Sequence, residues 1–153
     1  MAEATLAARL QRLEDLEAIR TIIARYGPLA DAGAADSVAG LWAEDGRYAV
    51  GGMHEAVGRA AIAGFITGPV HQALMVTGCA HLLGPVAITL DGDGATAVGH
   101  SVLFEQRPGG VAVARIAANR WQLRRSKTGW EVVRRDNRLL DGSEAARALF
   151  AGV

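Results

Sequence analysis

Four polar side chains lie among apolar neighbours in the sequence: Tyr26, Asp31, His81 and His100. A histidine can take up and release a proton near neutral pH, and a nearby carboxylate can fix the orientation of its ring. Residues of these types are therefore candidates for acid–base chemistry. Each also has an ordinary structural interpretation, because Asp31 could end a helix and an inward-facing histidine could be a hydrogen-bonded core residue.

The sequence favours neither a metal site nor a nucleotide site. The four histidines lack the short spacings that metal ligands prefer, and Cys79 is the only cysteine. We interpret Cys79 as a small buried hydrophobic residue. The segment Gly92-Asp93-Gly94 lies between predicted strands, so it predicts a hairpin and not a phosphate-binding loop before a helix. We expect the protein to need no metal and no organic cofactor.

The composition fits a single domain over residues 1–153, and half of the residues are hydrophobic. Sixteen basic residues balance sixteen acidic ones, so the charge gives no support for a nucleic-acid or membrane partner. No apolar stretch approaches the roughly 18 residues that span a bilayer. A single cysteine favours a reducing compartment, and we therefore expect a cytoplasmic protein.

Hydrophobic spacing predicts an amphipathic helix over residues 5–26. Its apolar positions recur every three or four residues, at Leu6, Leu10, Leu13, Leu16, Ile19 and Ile23. Gly27-Pro28 then predicts a kink or an end, because proline lacks the amide hydrogen and clashes with the preceding turn. Shorter helices are predicted over 35–43, capped by Asp36 or Ser37, over 58–66, and over 143–150, capped by Ser143.

The second half of the sequence is rich in β-type segments. A short strand is predicted over 47–50, and four long ones over 80–90, 95–106, 111–125 and 130–138, with glycine-containing turns between the long strands. Alternation along the first long strand places His81, Leu83, Pro85, Ala87 and Thr89 on one face, and His100 shares a face with Val98, Val102 and Phe104. Helices followed by a strand meander predict an α+β fold, with a curved antiparallel sheet over one pocket.

Several segments, taken in order, resemble those of a known family. They are Leu16-Glu17-Ala18-Ile19-Arg20 leading to Tyr26 and Asp31, Leu41-Trp42-Ala43-Glu44-Asp45-Gly46, His81 before Asp91-Gly92-Asp93, and Gly129-Trp130-Glu131-Val132-Val133-Arg134-Arg135. This pattern resembles the SnoaL-like family of the nuclear transport factor 2-like superfamily over nearly the whole chain. The resemblance implies a cone-shaped fold in which a bent antiparallel sheet wraps around N-terminal helices and encloses one pocket.

The resemblance also implies a site. It is nearest to the branch that contains scytalone dehydratase, bile acid 7α-dehydratase and lindane dehydrochlorinase, in which an aspartate orients a histidine and a tyrosine can assist. Carried over, these catalytic roles fall on Asp31, His81 and Tyr26. An unbroken helix would separate Tyr26 and Asp31 by about 140°, so we expect the backbone to turn between them at Gly27-Pro28. Residues expected to contact the substrate are His100, Trp42, Asn119, Trp121 and Arg134.

The expected activity is a dehydratase-type elimination without a cofactor, on a small hydrophobic molecule of steroid, terpenoid or polyketide type. In this hypothesis His81 removes a proton from carbon, Asp31 holds the histidine ring, and Tyr26 or protonated His81 protonates the departing hydroxyl. The alternatives are a protein that binds such a molecule without catalysis, an isomerase or cyclase, and an accessory subunit. We also expect a homo-oligomer, either a dimer or a trimer.

Overall fold

The computed structural model describes residues 5–52 and 54–152. Its helices are α1 (Leu6–Asp31), α2 (Ala35–Ala39), α3 (Arg59–Thr67), α4 (Pro69–Thr77) and α5 (Glu144–Arg147), the last followed by a 3-10 turn at Ala148–Phe150. Its strands are β1 (Trp42–Val50), β2 (His54–Val57), β3 (Cys79–Asp91), β4 (Gly94–Arg107), β5 (Gly110–Ser126) and β6 (Gly129–Leu139). Within the described ranges no single helix meets the length and hydrophobicity needed to cross a membrane, and only the bent pair α3 and α4 does so jointly.

The described strands form one sheet in the order β2-β1-β6-β5-β4-β3. Strands β1 and β6 run parallel, whereas the other neighbouring strands run antiparallel, so the sheet is mixed. Helix α1 contacts both β3, at one edge, and β6, three positions away, so the sheet must curve around the helix. The α+β prediction is confirmed. The predicted fully antiparallel arrangement is wrong for one pair of neighbouring strands, because β1 and β6 run parallel.

Helix α1 continues through Gly27-Pro28, so the predicted kink or end at this point is wrong. Proline removes one backbone hydrogen bond, the one to the carbonyl of Ala24, and Ala24 is exposed to water, which can satisfy that carbonyl. The buried side of α1 is formed by Asp15, Ile19, Ile23, Tyr26, Gly27 and Ala30. The leucines at positions 6, 10 and 13 are exposed, so the predicted apolar face is buried only in the second half of the helix.

Two further predictions near residue 42 are wrong. The second helix ends at Ala39, and Trp42 begins strand β1 instead of continuing the helix. Tertiary contacts outweigh local preference here, because the buried Trp42 pairs with Val132 of β6 and its carbonyl accepts a hydrogen bond from Arg59 Nε at 2.8 Å. Neither Asp36 nor Ser37 caps α2, whose N-cap is Ala34 without a side-chain hydrogen bond.

The buried carboxylate of Asp15 connects α1 to strands β5 and β6. Asp15 accepts hydrogen bonds from both terminal nitrogens of Arg125, at 2.8 Å each, and from Trp130 Nε1 at 3.0 Å. The hydrogen bonds from Arg125 hold the pKa of the Asp15 carboxyl far below its usual value. This connection fixes the helix over the sheet, so the residues of its last two turns meet β3 in a defined position.

Candidate active site

Asp31 and His81 are in direct contact although 50 residues separate them in the sequence. Asp31 Oδ1 lies 2.6 Å from His81 Nδ1, and Asp31 Oδ2 accepts a hydrogen bond from the backbone amide of His81 at 2.9 Å. Because a carboxylate accepts the Nδ1 hydrogen, the neutral ring carries its free electron pair on Nε2. No described residue hydrogen bonds Nε2. This nitrogen is therefore available to a ligand.

Gly27 permits α1 to come close enough for this contact. A Cβ atom at position 27 would lie only 2.1 Å from the carbonyl oxygen of His81, so only glycine fits. Asp31 follows one helical turn later on the same side and reaches His81 from there. Tyr26 precedes Gly27, and its ring meets the His81 ring edge-on with centroids 6.3 Å apart. The expected turn between Tyr26 and Asp31 is not needed, because the two side chains approach His81 from either side of Gly27.

A second tyrosine lies beside Tyr26. The hydroxyl oxygens of Tyr26 and Tyr48 are 3.2 Å apart, and both residues are buried. Burial raises the pKa of Tyr48, so its hydroxyl stays protonated throughout the physiological range. The Tyr48 hydroxyl can therefore donate a hydrogen bond to the Tyr26 oxygen, but it is a weak acid.

Behind the two tyrosines lies a buried cation, Arg135, whose exposed fraction is 2%. Its guanidinium carbon lies 4.2 Å from the ring centroid of Tyr26, 4.7 Å from that of Tyr48 and 4.3 Å from that of Trp121. Its Nε and Nη2 donate to Asn119 Oδ1 at 3.0 and 2.7 Å, and within the described part of the chain Nη1 has no partner. No described carboxylate lies within ion-pair distance of Arg135. Its charge therefore favours negative charge nearby.

A cavity of about 190 Å³ opens beside the dyad. Its helical side is formed mainly by apolar side chains, namely Tyr26, Phe65, Ile66, Val70, His71 and Leu74. Its sheet side is formed by Tyr48, Val50, His54, His81 and Arg115. The cavity thus combines apolar walls with a few polar groups, which is the usual composition of a small-molecule site.

His71 stacks on the dyad histidine. The two rings are 5.4 Å apart between centroids and inclined by 28°, and His71 is buried. His71 Nε2 lies 2.7 Å from the carbonyl oxygen of Ala30, to which it donates its hydrogen. This contact ties α4 to the end of α1 and keeps the cavity wall next to His81.

Burial lowers the pKa of His81 below its usual value of 6.5, and the hydrogen bond that the ring donates to Asp31 only partly offsets this effect. We expect the NMR titration midpoint of the His81 ring to lie below 6.5, and Asp31→Asn to lower it further, because the raising effect of the carboxylate is lost. Since the folded state favours the neutral ring, the free energy of unfolding should decrease as the pH falls from 6.5 towards that midpoint. A midpoint above 6.5 would show that the carboxylate outweighs burial and would contradict this assignment.

The five residues expected to contact a substrate do not line this cavity. His100 lies on the outer face of the sheet, where its ring packs on Phe150 with centroids 4.9 Å apart. Trp42 and Trp121 lie behind Tyr26, with ring centroids 6.1 and 6.2 Å from it, and Asn119 binds Arg135. Arg134 pairs with Asp136 and Glu55 in a separate polar cavity of about 230 Å³.

A strand irregularity also changes which residues of β3 face inward. The register of β3 changes between Leu83 and Val86, so the inward residues after His81 and Leu83 are Val86, Ile88 and Leu90. The predicted face containing Pro85, Ala87 and Thr89 is therefore wrong beyond Leu83, and these three residues are exposed.

A metal could be held by one group of side chains in the described ranges, Asp31, Cys79 and His81. Cys79 Sγ donates to Asp31 Oδ1 at 3.7 Å, and burial raises the pKa of this thiol. A thiolate ligand is therefore disfavoured, and the Asp31 oxygen that would bind a metal already binds His81 Nδ1. The arrangement therefore fits a hydrogen-bonded pair of Asp31 and His81, with Cys79 as a further donor to Asp31, better than a metal centre.

Sequence reasoning missed five polar residues of the site: Tyr48, His54, His71, Arg115 and Arg135. Tyr48 lies in a strand that was predicted, but its partner Tyr26 lies 22 residues away. His71 lies in α4, over which the sequence is ambiguous between helix and other structure. The sequence contained a signal for Arg135, because this residue belongs to the segment that carries the family resemblance. It directly follows Arg134, which was predicted to contact the substrate.

Fold and site together define a class: small α+β domains in which a curved sheet and a long helix hold an apolar cavity beside a hydrogen-bonded Asp–His pair. Residues 11–136 match the SnoaL-like domain, and the chain belongs to this family, which confirms the resemblance.

Solved structures agree with this assignment. An NTF2-like protein with a cystatin-like fold from Novosphingobium aromaticivorans is 59% identical, with 95% of this chain and 94% of that chain covered and a TM-score of 0.93. A Mycobacterium tuberculosis protein of unknown function is 22% identical, with coverage of 84% and 73% and a TM-score of 0.76. A candidate scytalone dehydratase from Novosphingobium aromaticivorans is 17% identical, with coverage of 84% and 85% and a TM-score of 0.71. The last two show similarity of fold alone. No curated protein matches the chain.

Proposed function

We propose that this protein is a cofactor-independent lyase that removes water from a small hydrophobic carbonyl compound. The observation that supports this function best is the 2.6 Å contact between Asp31 and His81 Nδ1, which leaves Nε2 free at the wall of an apolar cavity. A neutral imidazole with one nitrogen fixed by a carboxylate is suited to act as a general base. The lowered pKa of His81 keeps the ring in this neutral form at pH 7.

In the first step, His81 Nε2 takes a proton from the carbon next to the substrate carbonyl. The electron pair of the broken C–H bond moves towards the carbonyl oxygen and forms an enolate. Asp31 stabilises the resulting imidazolium through its contact with Nδ1. Arg135 contributes a positive charge behind the tyrosines, which favours the negative charge that develops in the cavity.

In the second step, the enolate electron pair forms a carbon–carbon double bond, and the bond to the hydroxyl at the next carbon breaks. The departing oxygen takes a proton from protonated His81 or from Tyr26, and water is released. If Tyr26 is the donor, the proton held by His81 then passes to the Tyr26 oxygen and restores both groups, and the Tyr48 hydroxyl, 3.2 Å away, stabilises the transient tyrosinate by donating a hydrogen bond. The sum of both steps converts a β-hydroxy ketone into an enone and water.

The size of the cavity limits the substrate. Pockets for drug-sized ligands span roughly 300–1,000 Å³, whereas this one measures about 190 Å³. A compact terpenoid or aromatic polyketide fragment fits this volume better than a complete steroid does. One solved structure of the same fold is that of a candidate scytalone dehydratase, which is compatible with this substrate class.

The test uses the aldol adduct of acetone and benzaldehyde, which loses water to give the ultraviolet-absorbing enone benzylideneacetone. We expect the protein to accelerate formation of this enone and, in D₂O, to introduce deuterium at the carbon between carbonyl and hydroxyl carbon. The measurements are absorbance and mass spectrometry. If the adduct binds saturably but gives neither enone nor deuterium, the proposed lyase activity is rejected.

One observation favours a second candidate, a protein that binds a hydrophobic molecule without catalysis. The Tyr26 hydroxyl hydrogen bonds Tyr48, and among the described residues it makes no hydrogen bond with His81, whose ring lies perpendicular to that of Tyr26. In that case Asp31 and His81 would be a buried structural pair. Saturable binding of benzylideneacetone together with complete absence of exchange would support this candidate.

A further inference from the structure

Arg115 lies in the same row of the sheet as His81. Neighbouring strands pair His81 with Leu103 and Leu103 with Arg115, so the three residues share the inner face of the sheet. Strands are spaced by about 4.8 Å, which places the backbones of His81 and Arg115 about 10 Å apart. Both side chains line the same cavity. A ligand held by one of them is therefore within reach of the other.

An irregularity in β5 directs Arg115 inward. Register with β4 changes after Leu103, which pairs with Arg115, because Phe104 pairs with Val113 and leaves Ala114 unpaired. Such bulges reorient the following side chain and are frequent beside active sites. Without the bulge the small side chain of Ala114 would take the inward position. The fold therefore places a cation at the cavity wall where strict alternation would place a methyl group.

The charge of Arg115 is not neutralised by the described residues. No carboxylate among them lies within ion-pair distance of its guanidinium, in contrast to Arg125 and Arg134. The described walls of the cavity carry no acidic side chain, since Asp31 lies behind His81. Arg115 is also partly buried, so water screens it incompletely. A partly desolvated guanidinium without a counter-ion binds carboxylates strongly, and it can do so through two parallel hydrogen bonds.

We propose that the natural ligand of this cavity is a small apolar carboxylic acid whose carboxylate is bound by Arg115. This inference rests on the proposed function, because it names the substrate class of the same site. The carboxylate anchors the ligand on the β5 side, and its apolar body fills the space towards Phe65 and Leu74. The carbon that loses its proton then lies between Arg115 and His81. Arg115 determines specificity here and takes no part in the proton transfer.

The experiment compares two ligands of the same shape, cinnamate and cinnamamide, by isothermal titration calorimetry at pH 7.5. We expect wild-type protein to bind cinnamate more tightly than cinnamamide by on the order of 10- to 100-fold, the range of a hydrogen bond to a charged group. Arg115→Met keeps an unbranched side chain about as long as the aliphatic part of arginine, removes the guanidinium, and should abolish this preference. Arg115→Gln provides a second neutral variant, and circular dichroism confirms that both variants fold.

The matched control is Arg25→Met, which removes the same charge from an exposed position of α1 outside the cavity. It should keep the wild-type preference, whereas a loss of preference in this variant would assign the effect to overall charge and overturn the inference. Equal binding of both ligands to wild-type protein, or binding of neither, also overturns it. Because the measurement is binding, a failed elimination assay would reject the lyase activity and leave this result unaffected.

Discussion

Replacing His81 by asparagine is expected to lower the rate of elimination by about 10²- to 10⁴-fold while the protein stays folded. The asparagine amide can donate a hydrogen to Asp31 from nearly the position of His81 Nδ1, so the connection between α1 and β3 is kept. It offers no second nitrogen that could accept a proton from carbon. The variant therefore separates the base from the structural contact. Measured values are the enone formation rate and the thermal unfolding midpoint.

Two further variants, measured in the same assay, test the role of Asp31 and provide a control histidine at position 100. Asp31→Asn should also lower the rate by about 10² or more, because an amide hydrogen facing Nδ1 would force the ring proton onto Nε2. His100→Ala removes a histidine from the outer face of the neighbouring strand and should leave the rate unchanged. A folded His81→Asn protein with wild-type turnover would exclude His81 as the base. A loss of activity in His100→Ala would instead favour the substrate contact that the sequence suggested.

The order of elements was largely predictable because it follows from local patterns. Glycine-containing turns mark the ends of the long strands, so strands β3 to β6 agree with prediction to within one residue at each end. Hydrophobic spacing marks the first helix, whose start agrees to within one residue although α1 continues five residues beyond Tyr26. The errors arose where the secondary structure is determined by contacts between residues that are far apart in the sequence. Trp42 lies in a strand because β6 pairs with it, and nothing in its immediate neighbours indicates that pairing.

The dyad could be proposed from family resemblance but not from spacing, because 50 residues separate its members. Which residues of each strand face inward was harder to predict from the sequence than the dyad was. In β6 the buried residues Trp130 and Val132 predict that Arg134 also points inward. The pairing with β5 shifts between Val132 and Arg134, which leaves Val133 unpaired and turns Arg135 inward instead. One unpaired residue therefore decided which arginine is buried beside the tyrosines, and alternation alone could not reveal it.

Gly27→Ala is expected to destabilise the protein by about 2 kcal/mol or more, although alanine is intrinsically the better helix former by about 1 kcal/mol. The reason is steric, since the added Cβ would lie 2.1 Å from the His81 carbonyl oxygen, where the neighbouring atom is backbone and cannot rotate away. Helix α1 would have to move off β3. That movement would lengthen the Asp31–His81 contact, so elimination should be lost together with stability.

The chain supplies a matched control for this change in Gly64 of α3. A Cβ there meets no atom within 4 Å, so Gly64→Ala should raise the free energy of unfolding by about 0.5–1 kcal/mol through helix preference alone. Chemical denaturation of both variants measures the two effects with opposite signs. Equal stabilisation by both substitutions would mean that α1 and β3 are not in such close contact at Gly27. The position of Asp31 over His81 would then need another physical cause, because the close approach at Gly27 is what brings that carboxylate within 2.6 Å of the ring.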